Sequence, residues 1–233
     1  RSGQMTLSAT FQAGGSLGGG TIKDAGMASA GSVTNNGENA ILTAGFESGK
    51  TGGVIHRSII HMALDEIPVA SIVTEATLTL VVTTVGGDST LNLIAFRGTE
   101  TDWTESTSHP TWTAKDGSNN WSAAGGGAVG TEYTLGAIPS STGTVSYDVF
   151  TLARDAMDNR DRVFSIVLKG SAESGTDYDH FICKSGNNST SADRPKLEVK
   201  YVAGGGASAK TRSASHPGLA SGRGRKRKRL FRQ

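Results

Sequence analysis

Residues 76–85 read Ala-Thr-Leu-Thr-Leu-Val-Val-Thr-Thr-Val. Leu78, Leu80 and Val82 fall to one side of an extended chain, and Thr77, Thr79, Val81 and Thr83 to the other. That is the two-residue period of a half-buried strand. The polar turn Gly86-Gly87-Asp88-Ser89 follows, and then Leu91, Leu93 and Ala95 alternate with Asn92 and Ile94. The two runs predict a hairpin. Outward from this pair the same punctuation repeats: short apolar stretches separated by Gly, Asn, Asp and Ser clusters. Further strands are expected over Ala40–Ala44, His56–Ala63, Val145–Asp148, Val163–Lys169 and Asp179–Cys183. A last one is expected over Lys196–Val202, where Leu197, Val199 and Tyr201 face inward. One helix is expected over Phe150–Arg160, from the apolar spacing of Val149, Leu152, Ala153, Ala156 and Met157.

Composition agrees. The 233 residues include 32 glycines, and only 19% are charged, so a coiled coil or helical bundle is excluded. Five prolines with no Gly-x-y period exclude collagen. No apolar run approaches the roughly 20 residues of a membrane-spanning helix, and no membrane partner is expected. Cys183 is the single cysteine, which excludes an internal disulfide and a Cys-x-x-Cys metal site. Residues 1–20 lack a basic stretch followed by an apolar one, so no signal peptide is expected. The predicted fold is all-β: a two-sheet jelly-roll sandwich with at most one short helix. The expected organisation is a Gly/Ser-rich N-terminal arm or linker over 1–20, the sandwich over 21–203 and a flexible basic arm over 204–233.

The formal charge of +2 hides two unlike parts. Residues 204–233 hold nine bases (Lys210, Arg212, Arg223, Arg225, Lys226, Arg227, Lys228, Arg229, Arg232) and no acid. Taking nine from the total of 23 leaves 14 bases against 21 acids in residues 1–203. The body is therefore −7 and the tail +9. The arm follows Gly204-Gly205-Gly206, and Arg223 through Arg232 is its partner-binding stretch, with Leu230 and Phe231 as an apolar anchor. Its chemistry suits an acidic protein surface or nucleic-acid phosphates; a solvated tail is the plain alternative.

Three stretches, in order, resemble one known module. The first runs Thr21-Ile-Lys-Asp24, Asn36-Gly-Glu38, Arg57-Ser-Ile-Ile60, Leu64-Asp-Glu-Ile-Pro68 and Ala76-Thr-Leu-Thr-Leu80. The second is Thr101-Asp-Trp-Thr-Glu-Ser106, Thr111-Trp112, Asn120-Trp121 and Gly125-Gly-Gly127. The third is Phe181 with Arg194-Pro-Lys-Leu-Glu-Val-Lys-Tyr201. Together they resemble the DNRLRE domain, a jelly-roll sandwich related to carbohydrate-binding modules and found in surface polysaccharide-active proteins and phage particles. The resemblance spans Thr21 to Val202 and implies fold more than ligand. Where the family commonly carries Ser-Arg-Glu before the last strand, this chain has Cys183-Lys184-Ser185, so no site is carried over there.

Chemistry is thinly signposted. Trp103, Trp112 and Trp121, with His109 beside them, are the candidate glycan-binding residues, because indole faces stack on sugar C–H faces. The plain alternative is that a long loop needs apolar anchors. Asp102, Glu105 and Asp116 near His109 set no carboxylate pair at a fixed separation, so no catalytic residue is expected. His56 and His61, five apart on a strand, face opposite sides and are no metal pair. Asp116, Asn119 and Asn120 offer oxygen to a Ca²⁺ ion or, as the plain reading, form an Asx turn. No other cofactor is expected. Asn187-Asn-Ser-Thr190 holds two glycosylation sequons and reads as a polar loop. The expected function is a non-enzymatic structural or host-attachment component of a large assembly, a phage virion protein that partners other structural proteins or copies of itself. The alternative is an extracellular or cell-surface carbohydrate-binding module, with surface glycan as partner.

Overall fold

The computed structural model describes residues 5–13, 22–30, 40–48, 53–87, 91–106, 108–127, 130–174 and 178–204. The chain is all-β, with eleven strands and one α-helix among these residues. In order they are β1 (Thr6–Gln12), β2 (Ile22–Ala28), β3 (Ile41–Glu47), β4 (Val54–Ala63), β5 (Ile72–Gly87), β6 (Asn92–Arg97), β7 (Glu132–Ala137), β8 (Gly143–Asp148), α1 (Phe150–Asn159), β9 (Val163–Gly170), β10 (Tyr178–Lys184) and β11 (Lys196–Val202). Every pairing is antiparallel. The path runs β1-β11-β5-β10-β3-β4-β9-β6-β7, with β2 on β4 and β8 on β5. The strands thus form one hydrogen-bonded path, and the curl of that path encloses the main core.

β5 is the organiser. Its alternation holds: Leu78, Leu80 and Val82 are buried, while Thr77 is exposed and Thr79, Val81 and Thr83 are half-buried. Its edges serve three neighbours. Ile72–Thr79 pairs β11, Val82–Gly87 pairs β10, and Thr77–Val82 pairs β8. With both edges taken, β5 has no place for β6, and the expected hairpin is not formed. β6 pairs β7 and β9 instead. The helix spans Phe150–Asn159, close to expectation, and buries Leu152, Ala153 and Ala156. The Phe150 N–H, one of the helix's first amides without an intrahelical partner, donates to Asp148 Oδ1 at 2.8 Å. The helix packs on β5 and β9 and carries the chain from β8 to β9.

Three strands escaped the sequence reading. β7 is short and half exposed. β2 is interrupted by Lys23, Asp24 and Gly26. β1 lies inside the segment expected to be an arm. Thr6–Gln12 pairs residue for residue with β11, and Phe11 is wholly buried in the main core beside Leu197 and Val199. The arm reading therefore fails for these residues, because a strand that buries an aromatic against the last strand belongs to the domain. Residues 14–20 lie outside the described residues, as does the basic segment from 205 onward.

A second, smaller core lies on the other face of β2, β4, β6 and β9. It gathers Ala25, Met27, Ile59, Phe96 and Val167 with Trp103 and Trp121. β4, β6 and β9 thus bury apolar side chains on both sides, which explains why β6 and β9 read as nearly continuous apolar runs.

Phe11→Ala is expected to cost about 3–5 kcal/mol of stability in urea unfolding, as for a buried aromatic. The exposed Thr10→Ala should cost little. An unchanged midpoint for Phe11→Ala would return β1 to the status of an arm.

Candidate functional site

The second apolar face is covered by one long segment, Gly98 to Gly127. Trp103 and Trp121 are its anchors, at 2% and 5% exposure. The Trp121 indole N–H donates to Thr111 O at 2.9 Å, and its backbone N–H to Thr113 O at 3.0 Å. The loop stitches itself further. Glu100 accepts from the Ser122 N–H (2.8 Å) and hydroxyl (2.6 Å). Lys115 reaches both Asp102 oxygens at 2.8–2.9 Å and lies 3.4 Å from Glu100. Lys115 and Ser122 hold the Glu100 carboxyl below the usual carboxylate range against the opposing effect of burial, which is the largest single influence on it.

Two cations rivet the cover to the sheet. Arg57, on β4, forms a two-pronged ion pair with Glu173, Nε–Oε1 and Nη2–Oε2 both 2.7 Å, and donates to Gly125 O at 3.1 Å. Its guanidinium lies 5.1 Å from the Trp112 ring centre and 5.6 Å from that of Phe96. Such a planar, forked cation suits both partners at once. Lys23, on β2, donates to Thr101 O at 2.9 Å and to Trp103 O, with Nζ 4.3 Å from the Trp103 ring centre. The Gly125-Gly126-Gly127 run is needed here. All three have positive φ, and a Cβ on Gly125 would fall 2.8 Å from Trp112 and 2.9 Å from Arg57.

The residues singled out in sequence therefore divide as follows. Trp103 and Trp121 are buried as anchors and offer no ring face to a sugar. Trp112 is half-buried with its ring toward Arg57, and His109 is half-buried, its backbone N–H donating to Ser106 Oγ at 3.1 Å. Asp116 is a closed Asx turn. Its Oδ1 accepts the N–H groups of Ser118 and Asn119, both at 2.7 Å, and the Asn119 amide donates to both oxygens. These bonds hold the Asp116 carboxyl below its ordinary range, the Asn119 amide first among them. Asn120 is exposed and bridges Ala114. The arm residues Arg223, Arg225, Lys226, Arg227, Lys228, Arg229, Leu230, Phe231 and Arg232 lie outside the described residues. Among the described residues no three His, Cys, Asp or Glu side chains gather as a metal cluster. His56 sits against His180 and Glu47, and His61 against Trp103, so the two histidines stand apart.

Sequence reasoning missed Asp24. It is 1% exposed on β2, with Oδ2 accepting the Gly186 N–H at 2.6 Å and Oδ1 buried without a partner. It walls a cavity of about 240 Å³ with Ala13, Ile22, Lys23, Glu105, Gly186 and Asn187. Burial, and then the charge of Glu105 against the Gly186 bond, pushes its pKa from 3.8 to about 7. A signal was present: an Asp beside a Lys in a stretch that otherwise alternates poorly. Only the strand's burial on both faces makes it stand out. His61 departs the other way, lowered to about 4 by burial and then by Lys23 and Arg160.

No protein-family model matches the chain, and no curated protein matches it in sequence. The DNRLRE resemblance thus rests on the quoted motifs alone.

Two tests follow. Arg57→Met and Glu173→Met should each cost about 2–3 kcal/mol, the penalty for stranding one charge of a partly buried pair, and the double variant much less than their sum. Additive losses would show that the pair is not coupled. In chelator-containing buffer, the raised Asp24 pKa makes stability fall as pH rises from about 4 to 7. The lowered His61 pKa makes it fall as pH drops from 6.5 to about 4. The slopes oppose, so wild type should be nearly flat across this window. Asp24→Asn should leave stability rising with pH, and His61→Gln should leave it falling. Identical profiles for all three would refute both assignments.

Proposed function

We propose that the chain is a non-enzymatic structural or attachment component of a large assembly, of the kind found in phage-type particles. In this reading the curled sheet is a two-layered jelly roll, displayed outward or cementing its neighbours. The basic stretch from Arg223 to Arg232 docks onto an acidic partner in the same assembly, another structural protein or a second copy. The observation that carries the reading is the division of charge, −7 in residues 1–203 and +9 in 204–233. A split of this size gives long-range attraction between a basic segment and any acidic surface, including a neighbouring body of the same kind.

The cover segment supports the same reading. Its tryptophans, carboxylates and Lys115 are engaged in holding one loop rigid over the sheet, which suits a domain that bears load. The carbohydrate alternative keeps Trp112 and His109 as its surface residues, and a glycan array compares the two. Removal of residues 204–233 should leave the melting temperature unchanged and abolish incorporation into the particle, with binding of the intact chain weakening steeply as salt rises. Full incorporation of the truncated chain would overturn the docking role.

A further inference from the structure

The last described residues leave the fold at one corner. Ile72 opens β5 opposite Val202 at the end of β11, and Gly204 lies close against Ala70 in the turn before β5. Beside that exit, between this turn and the end of α1, is a cavity of about 410 Å³. Val69, Ala70 and Met157 line it with apolar surface, and Asp158 and Asp161 with carboxyl groups. Val69 is 75% exposed, a large apolar side chain left bare. Ala70, Asp161 and Arg162, with φ of 65°, 48° and 65°, are the only non-glycine residues with positive φ among those described, and all three belong to this cavity. Backbone held in that sparsely populated region is costly and gathers at sites with a task.

The electrostatics of the corner favour a cation. The last turn of α1 holds no base and carries Asp158, although a helix C-terminus is the negative end of the peptide dipoles. Asp161 follows just past the helix, and Asp65 and Glu66 stand exposed on the loop after β4. Two arginines share the corner, and both are engaged. Arg162 donates to Asp65 O at 3.0 Å and Ile67 O at 3.2 Å, and lies 3.2 Å from Asp65 Oδ1. Arg154 faces Asp158 at 3.4 Å along the helix. Asp65, Glu66, Asp158 and Asp161 against Arg154 and Arg162 leave a local charge of −2. Asp161 and Glu66 meet no cation among the described residues.

The same chain carries the complement. Leu230 is 26 residues beyond Gly204, and at up to about 3.5 Å per residue that length returns to the cavity with ease. Arg229 and Arg232 flank Leu230 and Phe231, an apolar pair between cations that matches an apolar cavity between carboxylates. A tether sets a local concentration near the millimolar range, so weak contacts are enough. We propose that this cavity is the resting seat of the chain's own basic segment, with Leu230 and Phe231 against Val69 and Met157, and Arg229 and Arg232 on Asp158 and Asp161. The seat stows the segment until a stronger acidic surface displaces it. This goes beyond the docking role above, since it names where the segment rests before any partner is met. A seat filled about half the time changes the folding equilibrium only about twofold, which leaves the melting temperature essentially unmoved.

The test uses the full chain. Cys183 is buried, so the cysteine of Gln233→Cys takes a nitroxide label selectively. In amide NMR spectra at low salt, Val69, Ala70, Asp158 and Asp161 should broaden most, and Ser118 and Asn120 of the cover segment should stay sharp. Asp158→Asn combined with Asp161→Asn should cut the broadening about threefold or more, and about 0.5 M NaCl should do the same. Both aspartates are exposed, so this variant keeps the fold. Phe231→Ser should remove most of the effect. An equal mixture of isotope-labelled chain without nitroxide and nitroxide-bearing chain without isotope should show no broadening, because the seat is filled within one chain. Broadening in that mixture would mean that a second copy fills it. That result, broadening spread evenly over the surface, or broadening unchanged in the double variant would each overturn the proposal. No partner is present, so failure here is separate from failure of the docking role, which incorporation into the particle reads.

Discussion

Three strands of this protein, β4, β6 and β9, bury apolar side chains on both faces, and a sheet of that kind cannot stand in water on one side. Ile59, Phe96, Val167 and Met27 look away from the main core, and burying them at about 25 cal/mol per Å² requires a second layer. The chain supplies it from a segment with almost no regular structure of its own. The long run from Gly98 to Gly127 holds its shape through Trp103, Trp121, Glu100 and Lys115, and is fixed to the sheet through Arg57 and Lys23. Most other features of the molecule follow from this arrangement.

It explains where the charged and aromatic residues went. Arg57 and Glu173 are an expensive pair to bury, and a forked ion pair that also grips a backbone carbonyl and faces two rings is the arrangement that makes such burial tolerable. The glycines at 125–127 let the backbone pass close to Arg57 and Trp112. Arg57, Trp103, Trp112, Trp121 and Gly125–Gly127 cluster at this junction of cover and sheet. Arg194 plays a similar part at the other end, donating to Ala13 O at 2.8 Å and Asn188 O at 2.7 Å.

Asp24 is the exception among these polar groups. Arg57 is met by an opposite charge and Lys23 by two carbonyls, whereas Asp24 has the Gly186 N–H on one oxygen and no partner on the other. A fold that neutralises Arg57 so completely, yet leaves a carboxyl oxygen unmet a few strand positions away, marks that corner as different in kind from the rivets around it.

Alternation along residues 76–85 and 196–202 was enough to establish strands, inward faces and an all-β chain, because a two-residue period has a single geometric meaning. The helix at 150–159 was legible from a different period, the three-to-four-residue spacing that buries Leu152, Ala153 and Ala156. Pairing was not legible: β5 looked like half of a hairpin, and only the assembled sheet shows that three other strands claim its edges. β1 and β2 were hidden because their burial comes from distant partners, β11 and β4, rather than from their own pattern. The tryptophans announced themselves as functional or structural without saying which, since an indole suits a sugar and a core equally well. Charge division belongs to the sequence alone, being a sum over residues. The isolation of Asp24 belongs to the tertiary structure alone, being a matter of what the fold places, and fails to place, beside one oxygen.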